Sequence, residues 1–165
     1  MNHEKRVVSR VDFALIVTSD KVFEGIVEDK ITPMVKELLA RNPKFMLVYN
    51  TILPNNYEAI REKTIEALGK ADVVIVTGGT GFGSKDLVVR VVDSLEGYDV
   101  PGFGELFRML SWEQVGAKAW LSRAKARVIG GKVVFVLPGS PNAVRLALEK
   151  LILPVIDHML WELRH

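Results

Sequence analysis

The chain contains no cysteine. Disulfides, thiolate nucleophiles and cysteine-ligated zinc or iron–sulfur sites are thereby excluded. Histidine is scarce: His3, His158 and His165 lie near the termini, without the spacing of a metal site. No uninterrupted run of about 18 apolar residues occurs, so no membrane span is expected. The opening residues MNHEKRVVSR hold no apolar leader segment, and the expected location is cytoplasmic. The net charge is only +2, with Lys and Arg spread along the chain. Such a balance gives no footing for nucleic acid or an anionic membrane.

What is present is an alternation of apolar runs and amphipathic stretches. A length of 165 residues favours one domain, large enough to bury roughly 70% of its unfolded surface without staples. Residues 1–11 are expected to form a mobile arm, followed by a single domain over 12–165. FALIVTS (13–19), KFMLVYNTIL (44–53) and ADVVIVT (71–77) read as strands. The first and third are apolar throughout, as for strands covered on both faces. FEGIVEDK (23–30) reads as a loop, and Pro33 suits the first turn of a helix continuing MVKELLAR. Pro54-Asn55-Asn56 forms a turn with an N-cap for YEAIREKTIEALGK, which Gly69 ends.

The order β-α-β-α-β with helical crossovers implies an α/β fold, a three-layer α/β/α sandwich around a mainly parallel sheet. In such sheets ligands bind beyond the carboxyl ends of the strands. The exits at Thr18, Ser19 and Asp20 and at Gly78 to Asp86 are therefore expected on one rim. Further on, the pattern predicts a helix over 105–120, a short segment near 122–129 and a turn at Gly130-Gly131. A strand in KVVFVLPGSP follows, and its LPGSP exit joins the same rim. A long helix over 142–163 closes the chain, kinked or interrupted by Pro154.

The third strand ends in TGGTGFGSKD, with four glycines within six positions. Two phosphate loops are tested and fail. The dinucleotide fingerprint G-x-G-x-x-G needs glycine where Ser84 or Asp86 stands. The P-loop spacing is met by Gly78 and Gly83, but Ser84-Lys85 reverses the required Lys-Ser/Thr. A dinucleotide-dependent oxidoreductase is disfavoured on the same ground. The physical content survives: a glycine-rich turn exposes backbone N–H groups in a concave nest suited to anions, with a helix N-terminus adding positive potential. The rival reading is a loop needing positive φ only for packing.

At this point the chain resembles the molybdopterin adenylyltransferase family, the MoaB/MogA-like proteins of molybdenum-cofactor biosynthesis. TGGTGFGSKD is similar to that family's TGGTG…D signature, VTSD (17–20) to its first strand exit, and EDKITP (28–33) in part to its Asp loop. VPGFGELFRMLS (100–111) and LPGSPNAV (137–144) match closely. The resemblance implies a molybdopterin-binding-domain-like fold assembled as a trimer or hexamer. It implies adenylylation of molybdopterin by ATP with release of pyrophosphate, Mg²⁺ as the required ion, and insertion of molybdenum or tungsten by a downstream protein partner.

Carried onto this chain, the resemblance gives Gly78, Gly79, Thr80 and Gly81 the nucleotide phosphates, held through backbone N–H groups. It makes Asp86 and Asp29 the catalytic, magnesium-binding carboxylates. Ser19, Asp20, Glu105, Ser111, Pro138, Gly139 and Ser140 join the substrate-binding set. Each residue has a plainer reading. Asp86 and Glu105 would be first-turn helix acids, and Asp29 a solvated loop acid. Ser19 and Asp20 would make local turns, and Ser140 or Asn142 would cap the last helix. Phe103, Phe107, Trp112 and Trp120 would line a pterin pocket or pack in the core or between subunits. The chain departs from the family pattern at Ile31-Thr32 and Val88-Val89, beside the two aspartates. That motivates an alternative, a non-catalytic pterin- or nucleotide-binding paralogue of the same fold.

Overall fold

Continuous apolar runs make the central strands because neither face of the sheet meets water. The computed structural model describes residues 6–165. Its strands are β1 (Val11–Thr18), β2 (Phe45–Leu53), β3 (Val73–Thr77), β4 (Tyr98–Asp99), β5 (Lys125–Ile129) and β6 (Lys132–Leu137). They form one sheet of six, ordered β2-β1-β3-β6-β5-β4. The first four in that order run parallel; β5 runs against them, and the edge strand β4, antiparallel to β5, runs with them again. The helices are α1 (Asp20–Phe23), α2 (Ile31–Ala40), α3 (Tyr57–Leu68), α4 (Val88–Ser94), α5 (Pro101–Val115), α6 (Pro141–Ala147) and α7 (Ile156–Leu163).

The two-residue period of the strands sorts the core into two slabs. Phe13, Leu15, Ile75 and Phe135 pack under α2, α5, α6 and α7, with Val35, Phe107, Val144 and Leu160 opposite them. Ala14, Ile16, Val74, Val76 and Val136 face the other way, against Ile60 of α3 and Val91 and Val92 of α4. The result is the expected three-layer arrangement. The register sets the functional edge: Thr77 at the end of β3 pairs with Val17 of β1 and with Leu137 of β6. The three exits therefore leave the sheet side by side, as the sequence reading requires.

Several boundaries differ from expectation. Residues 1–5 of the expected arm lie outside the described residues. Val11, at its far end, opens β1, and the Val8 N–H donates to the Asp157 carbonyl at 3.1 Å. The helix expected from Glu105 begins at Pro101 instead and ends at Val115, continuing as a 3-10 turn, Gly116–Leu121. Gly104 sits inside that helix because a Cβ there would lie 2.9 Å from the Ala124 carbonyl oxygen, so the glycine lets α5 approach β5 closely. The segment near 122–129 is the strand β5, and Gly130-Gly131, both at positive φ, turn it into β6. The single closing helix is three pieces: α6, a π turn (Leu148–Ile152) and α7, with Pro154 in the turn between the last two.

Candidate functional site

The rim is built from three loops. The first leaves β1 at Ser19, whose hydroxyl accepts from the Val22 N–H at 3.2 Å and caps α1. Asp20 follows, one carboxylate oxygen accepting from the Asn55 N–H at 2.8 Å and the other from Lys85 Nζ at 3.2 Å. The Asn55 N–H, then Lys85, hold the Asp20 carboxyl below the ordinary aspartate value. This bridge joins the first exit to the glycine loop, so Asp20 and Asp86 share an edge.

The glycine loop spans residues 78–87 between β3 and α4. Gly78 (φ +95°) donates its N–H to the Leu137 carbonyl at 2.8 Å, and a Cβ there would lie 2.6 Å from the Thr18 carbonyl oxygen. Gly79 (φ +66°) has Val88 against it: a Cβ would lie 2.6 Å from Val88 Cγ2 and 2.8 Å from its nitrogen. Both positions require glycine for the fold itself, so the packing reading holds for them. Among the described residues, the N–H groups of Gly79, Thr80 and Gly81 have no protein acceptor. The helix N-terminus expected to support the nest stands further off, since α4 starts only at Val88 and has no side-chain cap.

Asp86 closes its own loop. Its Oδ2 accepts from the Gly83 N–H at 2.8 Å, and its N–H donates back to the Gly83 carbonyl at 3.1 Å. Gly81 and Gly83 leave room for this carboxylate, which would stand 3.0 and 2.8 Å from a Cβ at those positions. Asp86 precedes α4 rather than occupying its first turn. Asp29 caps α2: its Oδ1 accepts from the Ile31 N–H at 2.9 Å and the Thr32 N–H at 3.0 Å. It is not merely solvated, and the departing residues beside it, Ile31 and Thr32, are buried in the helix it caps. Each aspartate thus has one oxygen engaged and one with no protein partner among the described residues.

The remaining expected residues fall around separate cavities. One of about 260 Å³ is lined by Thr18, Ser19, Asp29, Thr77 and Gly139. Thr77 Oγ1 is buried there without a hydrogen-bond partner, an orphan hydroxyl beside a cavity. A second, of about 300 Å³, takes Ser111, Pro138 and Ser140; the Ser140 hydroxyl accepts from the Ala143 N–H at 3.2 Å, so Ser140 rather than Asn142 caps α6. A third, of about 530 Å³, has Glu105, Arg108, Arg123 and Lys125 on its walls. Glu105 is exposed, a full turn inside α5, not a first-turn acid. Lys125 reaches Asp93 at 2.8 Å and Asp99 at 3.1 Å. Against its partial burial, those two carboxylates hold the Lys125 pKa above its ordinary value, and Lys125 in turn lowers that of Asp99.

Phe103 and Phe107 are core residues, with Phe103 edge-on to Phe135 at 4.9 Å between centroids. Trp112 and Trp120 are exposed at 59% and 70%. Lys85, which breaks the P-loop pattern, finds its partner in Asp20. Arg123 had no motif to announce it, yet it holds two carbonyls of the glycine loop.

The match to known proteins decides the family. The model described as "Probable molybdopterin binding domain" matches residues 14–158. The chain belongs to this family. Among the relatives of this molybdopterin-binding domain, molybdenum cofactor biosynthesis protein B of Bacillus cereus is 39% identical over 164 residues, covering 98% of this chain and 95% of that one. The protein of the same name from Staphylococcus aureus is 40% identical, covering 93% and 92%. The crystal structure of the tungsten cofactor synthesizing protein MoaB from Pyrococcus furiosus superposes with a TM-score of 0.86 at 36% identity, covering 96% of this chain and 99% of that one.

For a family member of this kind the ion to test against the site is Mg²⁺. Among the described residues no group of three or more His, Cys, Asp or Glu is gathered. Mg²⁺ needs less: one or two carboxylates, with phosphate and water completing the shell. The unpartnered oxygens of Asp29 and Asp86 are hard donors of that type, so the donor chemistry fits.

Proposed function

We propose that the protein acts in molybdenum or tungsten cofactor biosynthesis by adenylylating molybdopterin: ATP donates its adenylyl group to the pterin's phosphate and pyrophosphate leaves. The observation that carries this reading is the acceptor-free row of N–H groups at Gly79, Thr80 and Gly81, on the rim that also bears Asp86 and Asp20. Transfer at phosphorus asks a protein for positioning and charge neutralisation more than covalent chemistry. The loop N–H groups bind phosphate oxygens. Asp86 and Asp29 turn their open oxygens to the reacting phosphates; carboxylates so placed would repel a triphosphate unless a cation lay between them. Mg²⁺ held by the open oxygens of Asp86 and Asp29 would supply that cation and offset charge on the leaving pyrophosphate. Asp20 and Lys85 brace the loop, while Ser111, Pro138, Gly139, Ser140 and Glu105 border the cavities offered to the pterin.

The same proposal assigns the protein to the cytoplasm, with a metal-insertion protein as its downstream partner. It assigns the exposed stripe Leu106, Met109, Trp112 and Val115 of α5, with Trp120 beside it, to contacts in a trimer or hexamer. Incubating the protein with ATP, Mg²⁺ and molybdopterin, and following pyrophosphate and adenylylated pterin, tests the chemistry. A second reading, a pterin- or nucleotide-binding protein without turnover, draws support from one observation: both aspartates already have local backbone roles. Binding of ATP and pterin with no pyrophosphate released would select it.

A further inference from the structure

Arg123 grips the glycine loop by two successive carbonyls. Its backbone N–H donates to the Thr80 carbonyl at 2.9 Å, and its guanidinium donates to the Gly81 carbonyl through Nε at 3.1 Å and also through Nη2. The guanidinium carbon also lies 5.1 Å from the centre of the Phe82 ring, within cation–π range. No carboxylate lies within ion-pair distance of Arg123 among the described residues. Arg123 is half-buried, neutralises no acid and instead fastens two consecutive carbonyls. In a trans peptide the carbonyl and the following N–H point in opposite directions. Drawing the Thr80 oxygen toward Arg123 turns the Gly81 N–H away from it, and drawing the Gly81 oxygen the same way turns the Phe82 N–H away as well.

We propose that Arg123 is a positioning residue: by holding the carbonyls of Thr80 and Gly81 it sets the direction in which the glycine loop presents its N–H donors to an anion. It touches neither phosphate nor pterin in this scheme and acts only through the peptide planes. Glycine makes such a hold necessary, because the residue with the most backbone freedom has the most to lose when the loop is ordered. Pre-ordering the loop moves that loss from the binding step to folding. That the anion is the phosphate chain of ATP rests on the adenylylation reading; that Arg123 orders the loop does not.

The experiment compares the parent with Arg123→Ala and Arg123→Lys on two measurements. The first is the ¹⁵N order parameter of the Gly81 and Phe82 amides without ligand. At Phe82, whose peptide plane the side chain holds, it should fall from about 0.85 toward 0.6 or less in Arg123→Ala, with a smaller fall at Gly81, whose backbone bond to Arg123 the alanine keeps; Arg123→Lys, which restores one cationic donor, should recover part of the loss. The second is the dissociation constant of ATP by calorimetry, which should rise at least about tenfold in Arg123→Ala for the loss of charge-assisted bonds. Millimolar ethylguanidinium should restore part of that affinity, which a merely structural defect would not allow. Unchanged amide order in Arg123→Ala overturns the proposal whatever the ligand does. So does lowered order that leaves ATP binding as tight as in the parent. If the parent itself binds no ATP, the nucleotide reading falls and the order parameters alone decide the role of Arg123. If Arg123→Ala fails to fold, Arg123→Lys decides: parent-like amide order together with an ATP affinity lowered as far as by charge removal elsewhere on the rim would overturn the positioning role.

Discussion

Replacing Asp86 by asparagine separates the two things this side chain does. In the folded loop, Oδ2 accepts from the Gly83 N–H at 2.8 Å while the other oxygen has no protein partner. Asparagine keeps an acceptor for Gly83 and loses the charge. The loop bond passes from charge-assisted to neutral, which costs about 1 kcal/mol at most at a partly exposed site. For a chain of this size that lowers Tm by roughly 2–4 °C. The catalytic effect is of another scale. Removing one preorganised electrostatic group from a reacting centre costs about a hundredfold or more in rate, near 2.7 kcal/mol. The assay is pyrophosphate release with saturating ATP and molybdopterin, titrated with Mg²⁺. Asp86→Asn should melt near the parent, turn over at most about one hundredth as fast, and need more Mg²⁺ for half-maximal rate. Asp86→Ala should be equally slow and less stable, since Gly83 loses its acceptor. An asparagine variant that works within threefold of the parent would reduce Asp86 to a loop staple and refute the argument.

Four further outcomes follow from particular contacts. Asp29→Ala removes the cap of α2 and should lose about 0.5–2 kcal/mol by urea denaturation, whereas Asp29→Asn should keep most of it; equal losses would deny the cap. Asp20 has a depressed pKa, so its folded form binds fewer protons than the unfolded chain near the ordinary aspartate value of 3.8. Its contribution is present above that value and is lost as pH falls through the lower folded pKa; Asp20→Asn should therefore flatten the acid limb of Tm against pH below about 4. Arg127 donates to the carbonyls of Val92 and Leu95 at 2.6 and 2.7 Å and to Asp99 at 2.9 Å. Truncating it to alanine strands the buried Leu95 carbonyl and leaves that of Val92 only the Leu95 N–H, at about 1–3 kcal/mol in denaturant unfolding. Trp112→Asp should shift the sedimentation profile toward monomer if the α5 stripe joins copies, and leave it unchanged if the stripe is free.

How far the sequence could be read depended on how local the cause was. β1 and β3 were legible because burial on both faces demands unbroken apolar runs, and the shared rim followed from their direction. β5, KARVI, hides because its Lys125 and Arg127 face an acidic cluster of Asp93 and Asp99 rather than solvent. β4 is two residues long and has no pattern to show. The start of α5 was misplaced because Pro101, Gly102 and Gly104 look like a loop, while the close approach to Ala124 that excuses Gly104 is a tertiary fact. An N-cap in the Pro54-Asn55-Asn56 turn and one at Ser140 could be named because capping depends on neighbours in sequence, while Ser19, read as a turn residue, caps α1. Arg123 could not be named, since its guanidinium works on a carbonyl 42 residues away.

The glycines themselves need sorting before any of them tests the site. Gly79→Val, the obvious steric block, would force a side chain onto positive φ and into Val88, so a loss of ATP binding would report damage to the fold as readily as a blocked nest. Gly81 is the cleaner probe. It is not at positive φ, and the atoms near a Cβ there belong to the Asp86 carboxylate, at 3.0 to 3.4 Å. Alanine at 81 therefore strains no backbone and pushes a side chain that can move. If the place of that carboxylate matters to transfer, Gly81→Ala should leave the unfolding free energy within roughly 1 kcal/mol of the parent. It should also keep metal-free ATP binding within about threefold and lower turnover at least tenfold, about 1.4 kcal/mol of transition-state stabilisation. Since a displacement of about 1 Å can cost a hundredfold where reacting groups must align, a fully active Gly81→Ala would mean that Asp86 is not held against the reacting phosphate.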